Sequence, residues 1–249
     1  MPSEADTWKA YFDAVAGLPA RETLTSALAR FEGGMGKPLW ACPCEPALSH
    51  GQAEDGLPMP PGPRFAIDLG CGEGRDTLEL LRRGWRVLAI DSTPEAIDRL
   101  RAQAEAILGE EARATGSRPS PAATRAEPRL RTRIDRFETA PLPPCDLLNA
   151  SFSIPHCDPA DFPGIWSRIV AAIRPGGRFA GQLFGVLDSW ATEPEGITRT
   201  HHTRGQVEAL LAPFEVELLD EVERDGKTAL GDPKYWHVFH IVARKRGHR

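Results

Sequence analysis

Residues 66–76, Ala-Ile-Asp-Leu-Gly-Cys-Gly-Glu-Gly-Arg-Asp, constrain this chain more than any other stretch. An apolar run, Phe65 to Ile67, ends at the acid Asp68. Gly70, Gly72 and Gly74 follow at alternate positions, and a helical run from Asp76 to Arg83 is closed by Gly84. A second apolar run, Val87 to Ile90, ends at Asp91. Strand, glycine loop, helix, strand and acid in this order make half of a nucleotide-binding α/β sheet. The glycines let the backbone turn with positive φ and let a ligand approach with no Cβ in the way. Asp91, at the end of the second strand, is placed to accept from both hydroxyls of a ribose.

The details of the loop narrow the choice of nucleotide. A dinucleotide fingerprint wants a small residue where this chain has Arg75, and it does not usually carry an acid at the strand end before the loop. A phosphate-binding loop is excluded, because no Gly-Lys-Ser/Thr follows the glycines. Acid-x-Gly-x-Gly-x-Gly resembles the class I methyltransferases that use S-adenosylmethionine. The resemblance runs over residues 64–244 and includes the turn Arg174-Pro-Gly-Gly177. Within that family the chain is most similar to the tellurite-resistance-type small-molecule methyltransferases, through Gly72-Glu-Gly-Arg-Asp76 and Asp91-Ser-Thr-Pro-Glu-Ala96. It departs from compact members in its Pro-rich linker and in an insertion at 109–128.

The implied fold is α/β: a doubly wound, seven-stranded, mostly parallel, Rossmann-like sheet with an antiparallel last strand and an N-terminal helical lid. Two units are expected. Residues 1–63 hold the helical lid (aromatic and leucine residues at helix-like intervals over 5–33) and an irregular Pro-rich linker over 34–63. Residues 64–249 hold the S-adenosylmethionine-binding domain. Its remaining strands read as Leu130–Ile134, Asp146–Ser151, Arg178–Phe184, Phe214–Glu223 and Trp236–Arg244. The last two are joined through a loop containing Asp225-Gly226, too short for a crossover helix, so they pair antiparallel. Helices read as residues 161–173 and, from the capping box Thr203-x-x-Gln206, as far as Ala212. Residues 109–128 read as a long exposed loop.

Composition removes several classes of function. The chain has 249 residues, 41% of them apolar, and a formal net charge of −5. No block of lysine and arginine favours a nucleic-acid partner. No apolar run reaches the length of a membrane span, and Met-Pro-Ser-Glu-Ala-Asp is unlike a signal peptide, so a cytoplasmic protein is expected. Five cysteines, odd in number and irregularly spaced, read as reduced thiols. Cys42-Pro-Cys44 with His50 lacks a second cysteine pair, and no metal site is read from it. Arginine far outnumbers lysine, which points to a GC-rich bacterial genome.

The resemblance implies cofactor contacts from Asp68, Gly70, Gly72, Gly74, Arg75, Asp91, Ser92, Asp135, Ala150 and Phe152. The cofactor's carboxylate suits a helix N-terminus and Arg75, and its ammonium suits an acid such as Asp68. Asp91 takes the ribose or caps the next helix. Asp135 accepts from the adenine amino group or is a solvated loop acid. Asn149 to Phe152 falls beside the sulfonium. Asn-Ala-Ser-Phe lacks the prolines of the amino-methylating nucleic-acid enzymes. Trp8, Tyr11 and Phe12 are either the buried face of an amphipathic helix or a lid over the sulfonium, two readings that are compatible. Arg199-Thr-His201-His202-Thr-Arg204 follows the fifth strand, where this fold places substrate contacts. It is either a polar loop or an anion site in which His201 or His202 serves as a base. Tyr11, Gln182, Trp190, Arg199 and Arg204 are the candidate acceptor contacts. The expected reaction is direct displacement of the methyl group onto a small-molecule acceptor, an anion among the candidates. The alternative is a non-catalytic or regulatory binder of the same cofactor. Oligomeric state is not legible.

Overall fold

Neighbouring residues on the central strands are buried in pairs, and the two members of each pair belong to different cores. Ile67, Leu148, Phe179 and Ile241 lie in one apolar cluster, whereas Ala66, Leu147, Ala180 and Val242 lie in the other. A strand sends successive side chains to opposite faces, so a sheet that is apolar on both must be covered on both. The computed structural model describes residues 4–33, 63–114, 128–192 and 198–247. In chain order it contains α1 (Glu4–Val15), α2 (Glu22–Phe31), β1 (Phe65–Leu69), α3 (Arg75–Arg82), β2 (Arg86–Asp91), α4 (Pro94–Ala114) and β3 (Leu130–Ile134). There follow β4 (Cys145–Ala150), α5 (Phe162–Ala172), β5 (Ile173–Gly185), β6 (His201–His202), α6 (Arg204–Leu210), β7 (Phe214–Lys227) and β8 (Pro233–Lys245).

The strands run in the order β3-β2-β1-β4-β5-β8-β7, with β6 paired to β5 off this path. β1 to β5 are parallel, and β8 enters antiparallel between β5 and β7. This is the expected doubly wound, mostly parallel sheet with an antiparallel last strand. Helices α2, α3 and α4 cover one face through Leu24, Leu28, Leu81 and Leu100. Helix α5 covers the other through Ile165, Trp166 and Ile169, joined by Val207 of α6. Strand order reverses between β1 and β4. The crevice at the carboxyl ends of these strands is where such sheets bind ligands.

Several expected boundaries move. The first helical region is two helices, separated at Gly17 (φ 73°) and Pro19. Of the two, α1 contributes no residue to either core cluster. α2 buries Leu24, Ala27 and Leu28 in the same core as Leu147, Ala180 and Val242, so it is a layer helix and not part of a lid. α4 continues to Ala114, taking helix into the start of the expected 109–128 loop. Asp225 and Gly226 pair with Tyr235 and Lys234 inside the β7–β8 ladder, and the turn lies beyond them, at Thr228 to Asp232. The eighth strand, His201–His202, was not expected. It pairs with Phe184 and Gly185, on the β5 edge that β4 has vacated. Two residues carry no periodic signal. Cys42, Cys44 and His50 lie outside the described residues, while Cys71, Cys145 and Cys157 are free and buried. Among the described residues no helix is long and apolar enough to cross a membrane.

Gly74 explains how the glycine loop is joined to this layer. It precedes α3 in a left-handed conformation (φ 101°), and a Cβ there would fall 2.4 Å from Leu100 Cδ1 on α4. Its lack of a side chain sets how closely the loop approaches α4. Gly74→Ala is therefore expected to lower unfolding free energy by about 1–4 kcal/mol, from overpacking plus left-handed strain. Urea denaturation checks this, and an unchanged midpoint would remove the packing role.

Candidate functional site

Protein groups alone fasten the glycine loop to β2. Gly70 N and Cys71 N both donate to the Ile90 carbonyl, at 2.8 and 3.0 Å. Asp91 then uses both carboxylate oxygens: Oδ2 accepts from Gly72 N at 2.9 Å and Oδ1 from Thr93 N at 2.8 Å. It thus caps the approach to α4 and clamps the loop, and with Ser92 it is among the residues that line the cavity. Gly70 has φ 73°, and a Cβ there would lie 2.3 Å from Ser153 Cβ. Gly72 has φ 54°, with Phe12 of α1 resting 3.5 Å from where its Cβ would be.

Beneath the loop two acids are bridged by one amide. Asn149 Nδ2 donates to Asp68 Oδ1 and to Asp76 Oδ2, each at 2.9 Å. Thr77 Oγ1 donates to Asp68 Oδ2 at 2.6 Å, and Arg21 N donates to Asp76 Oδ1 at 2.8 Å. Asp68 is 2% exposed and Asp76 4%, yet both reach the cavity wall. Burial first, and the negative charge of Asp76 second, push the Asp68 carboxyl up to about 7, against the pull of its bonds from Thr77 and Asn149. A site that raises a carboxyl in this way favours a cationic ligand, which would relieve the charge. Asn149 is wholly buried in this network.

The cavity measures about 460 Å³, within the range of small-molecule sites. Asp68, Gly70, Gly72, Arg75 and Asp91 form its loop side. Asp135 and Phe137 also line it, and Asp135 is held below the usual carboxylate range by bonds from Thr139 and Arg133. Ser151, Phe152 and His156 line it from the chain that follows β4, and Trp8, Tyr11 and Phe12 line it from α1. Of the expected cofactor residues, Gly74 and Ala150 lie outside this lining. Gly74 serves packing, and Ala150 is fully buried in the core of the α5 face.

Phe152 holds φ 52°, a costly conformation for a bulky residue. Its N–H donates to Gln182 Oε1 at 2.9 Å, and Gln182 Nε2 in turn donates to Thr23 Oγ1. Gln182 is thus buried behind Phe152 and sets its backbone instead of lining the cavity. The Arg21 guanidinium stacks 4.6 Å from the Phe152 ring centre.

The expected acceptor cluster is placed differently. Strand alternation turns His201 and His202 to opposite faces, so they cannot act as a pair. His202 packs 4.5 Å from Phe162, and burial followed by the neighbouring His201 pushes it down to about 4. Neither ring lines the cavity. Arg204 is ion-paired with Glu208 and Glu221, and Arg199 lies 4.0 Å over Trp190. Trp190 stands behind the cavity, 6.0 Å from the His156 ring. Tyr11 alone of the expected acceptor contacts is on the wall. His156 and Arg21 went unnoticed in the sequence. The signal available for His156 was its place six residues beyond the end of β4, on the ligand-binding edge.

A family model described as a methyltransferase domain matches residues 67–179. TehB from Haemophilus influenzae has a similar structure, with a TM-score of 0.54 and 15% identity, over 75% of this chain and 59% of that one. A SAM-dependent methyltransferase from Methanosarcina mazei gives 0.51 and 18%, over 75% and 94%. An uncharacterized methyltransferase of Mycobacterium tuberculosis is 44% identical over 54 residues, which are 20% of this chain and 22% of that relative. The match thus spans about a fifth of the length of that curated relative.

The loop geometry orders the effects of two substitutions. Gly70→Ala should lower the melting temperature and abolish binding in the cavity, because its Cβ displaces Ser153 and the bond from Ser153 Oγ to the Leu69 carbonyl. Gly72→Ala meets only ordinary contact with Phe12 and should cost about 1–2 kcal/mol of left-handed strain. Thermal melts of the two variants decide this, and equal losses would contradict the contact geometry.

Proposed function

Taking as premise that the chain has the class I methyltransferase fold, with a methyltransferase domain over residues 67–179, we propose that it transfers a methyl group from S-adenosylmethionine to a small-molecule acceptor. The observation that carries this reading is the charge arrangement of the cavity. Two buried carboxylates share one amide donor at one end of a glycine loop that permits close approach, and a clamped carboxylate, Asp91, stands at the other. An amino-acid ammonium satisfies Asp68 and Asp76, a ribose satisfies Asp91, and neither a phosphate nor a metal is asked for. Arg75 at the start of α3, and Arg21, are the cations available to the cofactor's carboxylate.

When bound, the cofactor supplies a methyl group already activated on a sulfonium. The protein's own work is then alignment and exclusion of water. Gly70 and Gly72 bring the backbone close, Asp91 fixes the sugar and Asp68 fixes the amino end. Phe152 turns its ring to the acceptor side, and the Trp8, Tyr11 and Phe12 face of α1 closes the top. Asp13 on α1 is ion-paired with Arg99 on α4, an exposed contact that can open at little cost.

Asp68 gives the reading a pH signature. Its raised carboxyl must be ionised to hold an ammonium, so affinity falls as pH drops through about 7 and binding releases a proton below it. The dissociation constant for S-adenosylhomocysteine should rise about tenfold from pH 8 to pH 6, and Asp68→Asn should flatten that dependence. Calorimetry measures both, and a pH-independent wild-type constant would remove Asp68 from the ammonium role. Turnover is tested by methyl-labelled S-adenosylmethionine with thiols, phenols, carboxylates, amines and chalcogen oxyanions. Transfer of label to a small acceptor is expected. Tight cofactor binding with no transfer to any class would make the protein a binder only.

A further inference from the structure

Among the aromatic residues that line the cavity, Trp8, Tyr11, Phe12, Phe137 and Phe152, stands one imidazole, that of His156. His156 follows β4 in a short 3-10 turn, Ile154–His156, and lines the cavity next to Phe152 and Ser153. Its ring lies 6.0 Å from Trp8 on α1, 5.7 Å from Phe184 and 6.0 Å from Trp190. Its backbone N–H is used by the Ser153 carbonyl, but among the described residues no hydrogen bond engages its ring nitrogens. Behind it Lys234 is buried in an ion pair with Asp188, its ammonium 3.6 Å from the centre of Trp190 and 4.5 Å from that of Trp236.

We propose that His156 is the acceptor-binding residue, and that the acceptor is a flat aromatic molecule whose hydroxyl or ring N–H donates to this imidazole. This rests on the methyl-transfer reading of the same cavity. The geometry gives the reasons. Trp8 and Phe152 offer π surface in the same cavity as an imidazole whose ring nitrogens have no hydrogen bond among the described residues, which suits a planar ring and is poorly matched to a small hydrated oxyanion. Asp188 already neutralises Lys234, Arg199 is stacked on Trp190, and Arg204 is tied to Glu208 and Glu221. The charged groups that face His156 are Arg199, Lys234, His201 and Asp188. Burial foremost, then the first three of these, push the imidazole down to about 4. At neutral pH one ring nitrogen therefore keeps its lone pair and accepts a hydrogen bond. Lys234 and Asp188 are positioning residues: they hold Trp190, and Trp190 holds the His156 ring.

The test uses three naphthalene probes and the full chain saturated with S-adenosylhomocysteine, at pH 7. Calorimetry should show 2-naphthol binding at least fivefold more tightly than 2-methoxynaphthalene, which lacks the donor, and than 2-naphthoate, which is an anion. His156→Phe keeps the ring shape and should erase the preference for 2-naphthol over 2-methoxynaphthalene. His156→Gln, which restores an acceptor, should recover part of it. Trp8→Ala should weaken both neutral probes alike. A circular dichroism spectrum and a melting temperature close to those of the wild type report that each variant is folded. Retained preference in His156→Phe overturns the proposal, as does tightest binding of 2-naphthoate, which would make the acceptor an anion. Absence of binding by all three probes also overturns it. If S-adenosylhomocysteine itself fails to bind the wild type, the methyl-transfer reading fails first, and visibly so.

Discussion

The amide of Asn149, shared between the carboxylates of Asp68 and Asp76, is the contact on which the site depends. It ties the end of β4 to the end of β1 and to the first turn of α3. Through the bond from Arg21 N to Asp76 it also fixes the start of α2. Burying two carboxylates side by side is costly unless donors satisfy them, and these have Asn149, Thr77 and one backbone N–H. The remaining unfavourable charge is expressed in the raised Asp68 carboxyl. In the proposed function, the ammonium of the cofactor at the same place would offset it.

The second constraint is the unequal length of β4 and β5. β4 stops at Ala150, while β5 runs on to Gly185 with β8 alongside as far as Val238 opposite Phe184. The chain leaving β4 must turn away at once, and it does so through the positive φ of Phe152, held by Gln182 from the next strand. That turn delivers Phe152, Ser153 and His156 to the cavity in six residues. The vacated β5 edge is then taken by His201 and His202. The double histidine is accordingly a piece of sheet edge, with His201 Nε2 and His202 Nδ1 buried and without hydrogen-bond partners among the described residues.

What was legible in the sequence was local. Glycines at alternate positions between two apolar runs specify a turn that only glycine allows, and Gly70 and Gly74 do sit where a Cβ would overlap Ser153 or Leu100. Asp68 and Asp91 stood out because each closes an apolar run, and the structure puts Asp91 at the end of β2 and Asp68 one residue before the end of β1. The capping box at Thr203 and Gln206 formed as its spacing required. What failed was what long-range packing decides. Leu24 and Leu28 have the same spacing whether they face a lid or a sheet, and only the fold says which. Arg199 and Arg204 are cations in sequence, but Trp190, Glu208 and Glu221 engage them. His156 had no motif to mark it, since its position depends on the backbone turn at Phe152.

A crystal structure of the protein with S-adenosylhomocysteine tests the central claim most directly. The account predicts the ribose hydroxyls within hydrogen-bond distance of the Asp91 carboxylate, the amino group at Asp68, and the sulfur turned toward Phe152 and His156. A ligand bound with its ribose away from Asp91, or its sulfur facing Asp135, would contradict it.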